Sequence, residues 1–402
     1  MLRNQSVGGM SAFLIVCFTI LLILYPKDVL EASQNGLKVW SESVLPALLP
    51  FFITAELLIA FGVVSFVGVL LEPFMRPLFN VPGQGGFVWA MGLASGFPAG
   101  AKLTVELRKK KQLTKEEAER LICFTNSSSP LFIFGAVAVG FFHDATLGLL
   151  LAASHYSANT CVGIFMRFYK RSAPPSQAAS SKTNLKMAFH ALLEEQQRNK
   201  KPFGQILGDA VVSSIHTLFM IGGFIVLFSV LYRILLVTGA IHFFSLIPSF
   251  FLSLFSLAEV LAFPWLSGFF EITIGSKLIS DLTDVPLIEK VVITSFVLGF
   301  SGFSVQAQVA SLLANTNIRF LPYFIARWIH GILAAVFSLL FWDVLYVRRW
   351  DHPVITTPEG EDVLTLIWMK TIEWFSQHGV KVTILSLFLY IFLLHRHRSP
   401  SK

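Results

Sequence analysis

Apolar residues in this chain fall in long blocks separated by short polar stretches. A helix needs about 20 mostly apolar residues to cross the hydrocarbon core of a bilayer, and a helix satisfies every backbone group internally there. Eight blocks read as crossings: 10–25, 44–66, 121–141, 145–166, 211–236, 291–313, 321–346 and 380–394. The first is short, but Pro26, Lys27 and Asp28 follow it instead of a small-residue cleavage site, so it reads as a retained helix. Two more apolar segments are interrupted by Gly and Pro. The first, 87–101, ends in Ser95-Gly96-Phe97-Pro98-Ala99-Gly100; the second, 259–280, holds Ser267-Gly268-Phe269-Phe270-Glu271-Ile272-Thr273-Ile274-Gly275. Both predict re-entrant hairpins, hinged at Gly96, Pro98 and Gly100 and at Gly268 and Gly275. Non-helical backbone at that depth must be buried in protein or line a cavity. The expected fold class is thus an all-α polytopic membrane protein with about eight transmembrane helices and two re-entrant hairpins.

Segment 241–258 stays ambiguous. It is apolar enough to cross, yet it carries Pro248 and four serines, so it is either a crossing or an interfacial or hairpin arm. Charge bears on the choice. Segment 102–120 carries seven Lys and Arg against four Glu, and 167–201 carries eight against two. Two crossings separate them, so both satisfy the positive-inside rule as cytoplasmic loops. If 241–258 does not cross, both termini are cytoplasmic and the acidic loop 281–290 is outside, at the cost of placing Arg348 and Arg349 outside. The chain then divides into an N-terminal anchor helix with an amphipathic segment (1–43), a first unit (44–171), a basic cytoplasmic linker (172–202), a second unit (203–347) and a C-terminal loop with the last crossing (348–402). Within the linker, 185–198 reads as an amphipathic helix, on the membrane surface or solvated.

Composition agrees: 54% of the residues are hydrophobic and 14% charged, with a mean hydropathy of +0.68, which excludes an ordinary soluble domain. The net charge of +7 fits positive loops better than a nucleic-acid partner. Cys17, Cys123 and Cys161 all lie in apolar segments and read as buried thiols. No metalloprotease, phosphate-loop, serine-hydrolase or CxxC motif is present, so no catalytic or metal-ligating residues are assigned and no enzyme is expected.

The two hairpin segments resemble each other. Ser95-Gly96-Phe97 leads to Gly100-Ala101-Lys102-Leu103; Ser267-Gly268-Phe269 leads to Gly275-Ser276-Lys277-Leu278, with three more residues in between. In each case 24 residues past the Lys lies a polar interruption in an apolar block, at Asn126 in Thr125-Asn126-Ser127-Ser128-Ser129-Pro130 and at Ser301 in Gly299-Phe300-Ser301-Gly302-Phe303-Ser304. The pattern predicts an inverted repeat of hairpin plus broken helix, as in many secondary transporters. A break at 126–130 frees carbonyls before it and amides after it, and Pro130 disfavours helix at Ser129.

Asn126, Ser127, Ser128, Ser301 and Gln306 are therefore candidate ligands for a polar solute, with Gln308 nearby. Glu271, with Thr273, is a further candidate. A carboxylate among Phe269, Phe270, Ile272 and Ile274 must face a cavity, bind a cation, pair, or be protonated. Glu56 is a second intramembrane acid, with Arg327 or Lys102 as potential partner. His155, Asn159, His216 and His330 read as buried hydrogen bonders between helices.

The blocks GLASGFPAGAKLTVEL, CFTNSSSPLFIFG, GFFEITIGSKL and GFSGFSVQAQ resemble the YlbJ family of bacterial sporulation integral membrane proteins. That family is similar to the nucleoside-recognition, or Gate, domain family, and the resemblance spans roughly 44–346. In the related concentrative nucleoside transporters two opposed hairpins and two broken helices enclose the substrate. The resemblance implies Asn126 on the first broken helix, Glu271 on the second hairpin and Ser301 on the second broken helix. It also implies a multi-pass protein of the bacterial cell membrane, or of a membrane of the developing spore, serving endospore formation in the envelope around the cortex. Phe97-Pro98-Ala99-Gly100 departs from the polar cluster those transporters carry in the first hairpin. Two functions follow: a permease for a small polar solute, with room for a coupling Na+ or H+ and no other cofactor, or a non-transporting membrane scaffold that recruits sporulation partners. The bilayer is a partner in both, and a homo-oligomer is compatible with both.

Overall fold

In a computed structural model, residues 2–176, 185–199 and 201–347 are described, and the apolar blocks among them all become helix. The crossing expected at 380–394 and the acidic stretch before it lie outside the described residues. In chain order the helices are α1 (Leu2–Leu24), α2 (Pro26–Val39), α3 (Leu45–Ala60), α4 (Val63–Phe79), α5 (Gln84–Ser95), α6 (Ala99–Lys109), α7 (Lys115–Thr125), a π-helical segment (Leu131–Phe141), α8 (Leu147–Met166), α9 (Leu185–Arg198), α10 (Phe203–Val237), α11 (Ala240–Leu254), α12 (Ala262–Phe270), α13 (Ile272–Ser280), α14 (Leu287–Phe300), α15 (Gly302–Leu313) and α16 (Phe320–Trp342).

Four helical stretches are long and apolar enough to cross a membrane: Leu147–Met166, Phe203–Val237, Leu287–Leu313 and Phe320–Val347. Two bent pairs raise this to six among the described residues if each pair is one span. One pair is α1 with α2, bent by 100° ahead of Pro26, which opens α2. The other is α3 with α4. The single crossing expected over 44–66 is instead broken at Gly62, whose φ of +77° no longer follows the helix, and the chain turns by 82°. The helix that follows is amphipathic and lies along α9, with Phe66 edge-on to Phe189 at 5.2 Å. Segment 241–258 becomes α11, whose 15 residues span about 22 Å at 1.5 Å per residue, too little for a crossing of about 30 Å.

The helices α8, α14 and α16 form the centre, and the two predicted hairpins exist as α5–α6 and α12–α13. Contacts fix which end each enters from. Arg108 at the base of the first hairpin donates to Asn317 at 3.1 Å, and Arg319 pairs with Glu119 at 2.9 Å. Arg120 donates to the Tyr169 carbonyl at 3.0 Å. The first hairpin's base, the start of α7, the end of α8 and the α15–α16 turn therefore share one end. At the other end Tyr346 donates to Asp144 at 2.8 Å, Lys290 lies 5.9 Å over Phe142, and Ala258 N–H donates to Glu289 at 2.8 Å. The second hairpin's base is there, so the hairpins enter from opposite ends.

The shared basic end is clasped by two buried acids below the apolar part of α7. Burial pushes the Glu119 carboxyl up, but the donors of Arg319 and Tyr169 outweigh it and hold the group below its usual range. Burial likewise raises Glu117, and the Thr114 amide, Arg76 and Ser176 outweigh it. Glu117 also closes a capping box with Thr114 at the start of α7.

Candidate functional site at the two broken helices

At the first break α7 stops at Thr125, and residues 126–129 run without helix until Pro130 opens the π-helical segment. The carbonyls of Cys123, Phe124 and Asn126 at this end of α7 each accept from a side chain of another helix, and that of Thr125 is packed in glycine. The Thr125 carbonyl is wedged between the arms of the first hairpin: a Cβ added at Gly92 or at Gly100 would lie 1.9 Å from its oxygen. Asn159 Nδ2 donates to the Phe124 carbonyl. Arg327 on α16 donates from Nη1 to the Asn126 carbonyl at 2.8 Å and from Nη2 to the Cys123 carbonyl. Its guanidinium is fully buried and has no carboxylate partner among the described residues. The negative end of the α7 dipole stands in for one.

Two histidines complete this layer. His330 Nε2 faces the His155 carbonyl at 2.9 Å and must carry the proton. Its Nδ1 then accepts from Arg327 Nη1 at 3.0 Å. His155 Nε2 accepts the Ser128 N–H at 3.1 Å, so its proton sits on Nδ1. Both rings are neutral in this arrangement, 4.5 Å apart.

At the second break Ser301 and Gly302 both adopt left-handed backbone, with φ of 71° and 63°. Gln306 Nε2 donates to the freed Phe300 carbonyl at 3.0 Å. Gly302 lies against the tip of the second hairpin, where an added Cβ would meet the Gly268 and Phe270 carbonyls at 3.3 and 3.4 Å. The arms of that hairpin touch each other directly: a Cβ at Gly275 would sit 2.2 Å from Gly268 Cα.

The two breaks meet at Tyr323 on α16. Its hydroxyl accepts from Asn126 Nδ2 at 2.8 Å and lies near Ser301, whose Oγ is buried without a hydrogen-bond partner in the protein. Around it Asn126 Oδ1, Ser127 Oγ, Ser128 Oγ, Gln306 Oε1 and Arg327 Nε are buried without a hydrogen-bond partner in the protein. Asn126, Ser127, Ser128, Ser301 and Gln306 are thus at the breaks, as the sequence pattern placed them.

The backbone at Glu271 lies against the second break, where an added Cβ at Gly302 would meet the Phe270 carbonyl at 3.4 Å and the Ile272 nitrogen at 3.5 Å, but the Glu271 side chain turns to its own helix and to Thr273. Glu271 is the N-cap of α13: its carboxylate accepts the Ile274 N–H at 2.8 Å and the Thr273 hydroxyl at 3.1 Å. It faces a cavity of about 220 Å³ shared with Glu31, Asn35, Tyr232 and Arg233. Glu56 pairs with Lys102 at 2.9 Å, not with Arg327. His155, Asn159 and His330 are buried hydrogen bonders, but His216 is exposed on α10. Tyr323 was not read from the sequence, and Arg327 was weighed only as a partner for Glu56. The available signal was the spacing of Tyr323, Arg327 and His330 at i, i+4 and i+7, one polar stripe on an otherwise apolar helix.

A polytopic helical protein with a hairpin seated on a broken helix is the class that these features define. Residues 42–169, which hold the first hairpin and the first break, match the Gate family, described as nucleoside recognition. Over 390 residues the chain is 53% identical to the sporulation integral membrane protein YlbJ of Bacillus subtilis (strain 168), covering 95% of this chain and 94% of that protein. The chain belongs to the YlbJ family of integral membrane proteins.

Proposed function

We propose that this protein is a permease-like component of endospore formation that takes a small polar solute between its two broken helices. The observation that carries the reading is the meeting of Asn126 and Ser301 at Tyr323. Two interrupted helices from opposed units converge on one buried polar point, the arrangement in which secondary transporters bind substrate. The sporulation role comes from the name of the Bacillus subtilis relative. The positive-inside rule assigns the basic end, with Lys109, Lys110 and Lys111, to the cytoplasm. The membrane is the cell membrane or that of the developing spore, and assembly of the spore envelope around the cortex is the process served.

The charge balance favours a solute bearing anionic or acceptor oxygens, such as a carboxylate or phosphate. The carbonyl ends of α7 and α14 are closed by Arg327, Asn159 and Gln306. Of the helices starting at the breaks, α15 has no side-chain cap, whereas Ser129 Oγ accepts the Phe132 N–H at 3.3 Å at the start of the π-helical segment. The positive end of α15 and the unpartnered Arg327 Nε remain.

A scaffold is the second reading, because Asn126, Tyr323 and Arg327 are fully buried and bonded to one another's helices. Thermal unfolding of the purified chain with carboxylates, phosphate esters, nucleosides and polyols separates the two. A ligand at a hundredfold its dissociation constant adds about 2.7 kcal/mol. One solute class should raise the melting temperature of the wild type but not of Asn126→Ala or Ser301→Ala. A wild type indifferent to every class supports the scaffold.

A further inference from the structure

The turn at Gly62 sets two helices across the direction of the crossings. α3 runs antiparallel to the 35-residue helix α10. Trp40, just before α3, donates to the Leu218 carbonyl at 2.8 Å; Ser213 donates to Glu56 at 2.9 Å; and Asn199, just before α10, donates to the Ala60 carbonyl at 3.2 Å. The 82° bend after Ala60 therefore turns α4 nearly at right angles to α10, close to the plane of the membrane, at the basic end of the molecule. α9 lies antiparallel beside it. A Cβ at Gly62 would meet the Leu192 carbonyl at 2.7 Å, and Phe66 packs on Phe189.

α4 turns one face inward, with Val64, Met75 and Phe79 buried. There it grips the root of the first hairpin: a Cβ at Gly83 would lie 1.8 Å from the Gly68 carbonyl oxygen, and Glu72 accepts the Gly83 N–H. The exposed residues of α4 are Leu70, Pro73, Phe74, Pro77 and Leu78, without one polar side chain. α9 continues this strip with exposed Leu185, Phe189 and Leu193 at i, i+4 and i+8, then turns polar through Lys186, His190, Glu194 and Gln197. Such a face belongs to a helix lying in a membrane interface. The rim is basic at both ends of α9. Lys186 stands at its start, and at its end Glu195, 4.0 Å from Lys110, adjoins the turn on which Lys109 and Lys111 are exposed.

We propose that α4 and α9 form a docking platform for anionic lipid in the cytoplasmic leaflet of the bilayer that the chain itself spans. The apolar strip lies among acyl chains, and Lys109, Lys111 and Lys186 meet the headgroups. Charge and orientation select this occupant. The strip offers no polar side chain on α4 with which to recognise a protein, it lies along the membrane plane, and its rim carries the charge that an anionic leaflet attracts. The lipid that holds α4 thereby also holds the root of the first hairpin. The leaflet follows from the positive-inside assignment of the basic end, and the platform is independent of whether the protein moves a solute.

The test uses the full chain in vesicles of phosphatidylcholine alone or mixed equally with phosphatidylglycerol. Nitroxide labels go on single cysteines, Phe74→Cys, Leu193→Cys and His190→Cys, in a chain whose native cysteines are replaced by Ala. All three positions are exposed, so the labels leave the packing intact. The labels at 74 and 193 should collide with dissolved oxygen and be shielded from a water-soluble nickel chelate, and the label at 190 should show the reverse. Hydrogen exchange then reads the headgroup contact. In the mixed vesicles α9 should gain protection by about tenfold or more relative to phosphatidylcholine, with α14 unchanged as internal reference. The combined Lys109→Gln, Lys111→Gln and Lys186→Gln protein should lose that difference. Labels at 74 and 193 as open to the nickel chelate as the label at 190 would leave the strip in water, free for a protein partner, and overturn the proposal. Equal protection of wild-type α9 in the two kinds of vesicle would overturn it as well.

Discussion

At the first break the carbonyls freed by α7 are met by side chains from distant helices, Arg327 on α16 and Asn159 on α8. At the second break the Phe300 carbonyl is met by Gln306, six residues further along the same chain segment. The hairpins differ in the same sense. The first closes on a carbonyl of its broken helix, with Gly92 and Gly100 on Thr125; the second closes on itself, with Gly275 on Gly268. The second is also packed in aromatic side chains, with Phe269 and Phe300 in ring contact with each other and each with Phe303 and Trp328. Two units with the same order of hairpin and break are therefore held by different forces. The first depends on a polar layer assembled from three helices, and the second on local bonding and apolar packing. A polar layer shared among helices is the element that a bound solute or a proton can rearrange, whereas an aromatic cluster resists it.

The largest break in this comparison should come from Arg327→Leu. It strands the Cys123 and Asn126 carbonyls and the His330 ring, and loss of one side of such a buried charged network costs about 3–5 kcal/mol. Gln306→Leu strands one carbonyl, for about 1–3 kcal/mol. Denaturation of the purified proteins in detergent measures both; equal losses would erase the distinction between the units. Arg327→Lys should rescue little, because an ammonium cannot reproduce the fork that spans two carbonyls.

Next in size are the hairpin glycines, at about 1–3 kcal/mol each for a forced methyl group. Gly100→Ala should disturb both the first hairpin and the Asn126 region, since its methyl would strike the Thr125 carbonyl. Gly275→Ala should open only the second hairpin. Limited proteolysis mapped by mass spectrometry distinguishes them, and identical cleavage patterns would contradict the different closures.

Glu271 gives a smaller effect. The capping geometry supplies the structural role that its apolar sequence neighbours did not suggest, so Glu271→Ala should cost about 0.5–2 kcal/mol, as for loss of an N-cap. Glu271→Gln keeps a capping oxygen and should cost less. If the Gln variant melts like wild type at normal membrane abundance yet fails to support heat-resistant spores, the carboxylate has a role beyond the cap. Normal spore yield would leave it as a cap.

The smallest effect is electrostatic and lies at the basic end. Glu117 and Glu119 are held below their usual range in the folded protein. Their contribution is present above the unfolded value of about 4.3 and is lost as pH falls through the lower folded values. The Glu119–Arg319 clasp should therefore persist at pH 5 and loosen only in stronger acid. Arg319→Gln should make the α15–α16 turn more accessible to protease at pH 7, and no change would reject the clasp.

Much of this architecture was legible because membrane depth punishes interruption. Gly96, Pro98, Gly100, Gly268 and Gly275 break apolar blocks, and Asn126 and Ser301 sit at the same offset past a Lys, so hairpins and breaks stood out against hydrophobic background. The bend at Gly62 did not, because a single glycine in an apolar block is also compatible with a straight helix. The direction of Glu271 was equally hidden: it depends on where α13 starts, and one residue decides whether a carboxylate caps the helix or faces the break. Arg327 was visible as a charge in an apolar helix, but its partner is a set of backbone carbonyls, which carry no letter in the sequence.

The central claim is that the point where Asn126, Tyr323 and Ser301 meet is a solute site and not a sealed core. Single cysteines at Ser127 and Ser304, in a background with Cys17, Cys123 and Cys161 replaced by Ala, report on it directly. Both native serines are buried, at 0% and 2% exposure. Treatment of sealed vesicles of either orientation with a small charged thiol reagent should modify both cysteines, at rates that differ between the two faces. Folded protein in which neither cysteine reacts from either face would show a closed, dry core and contradict the claim.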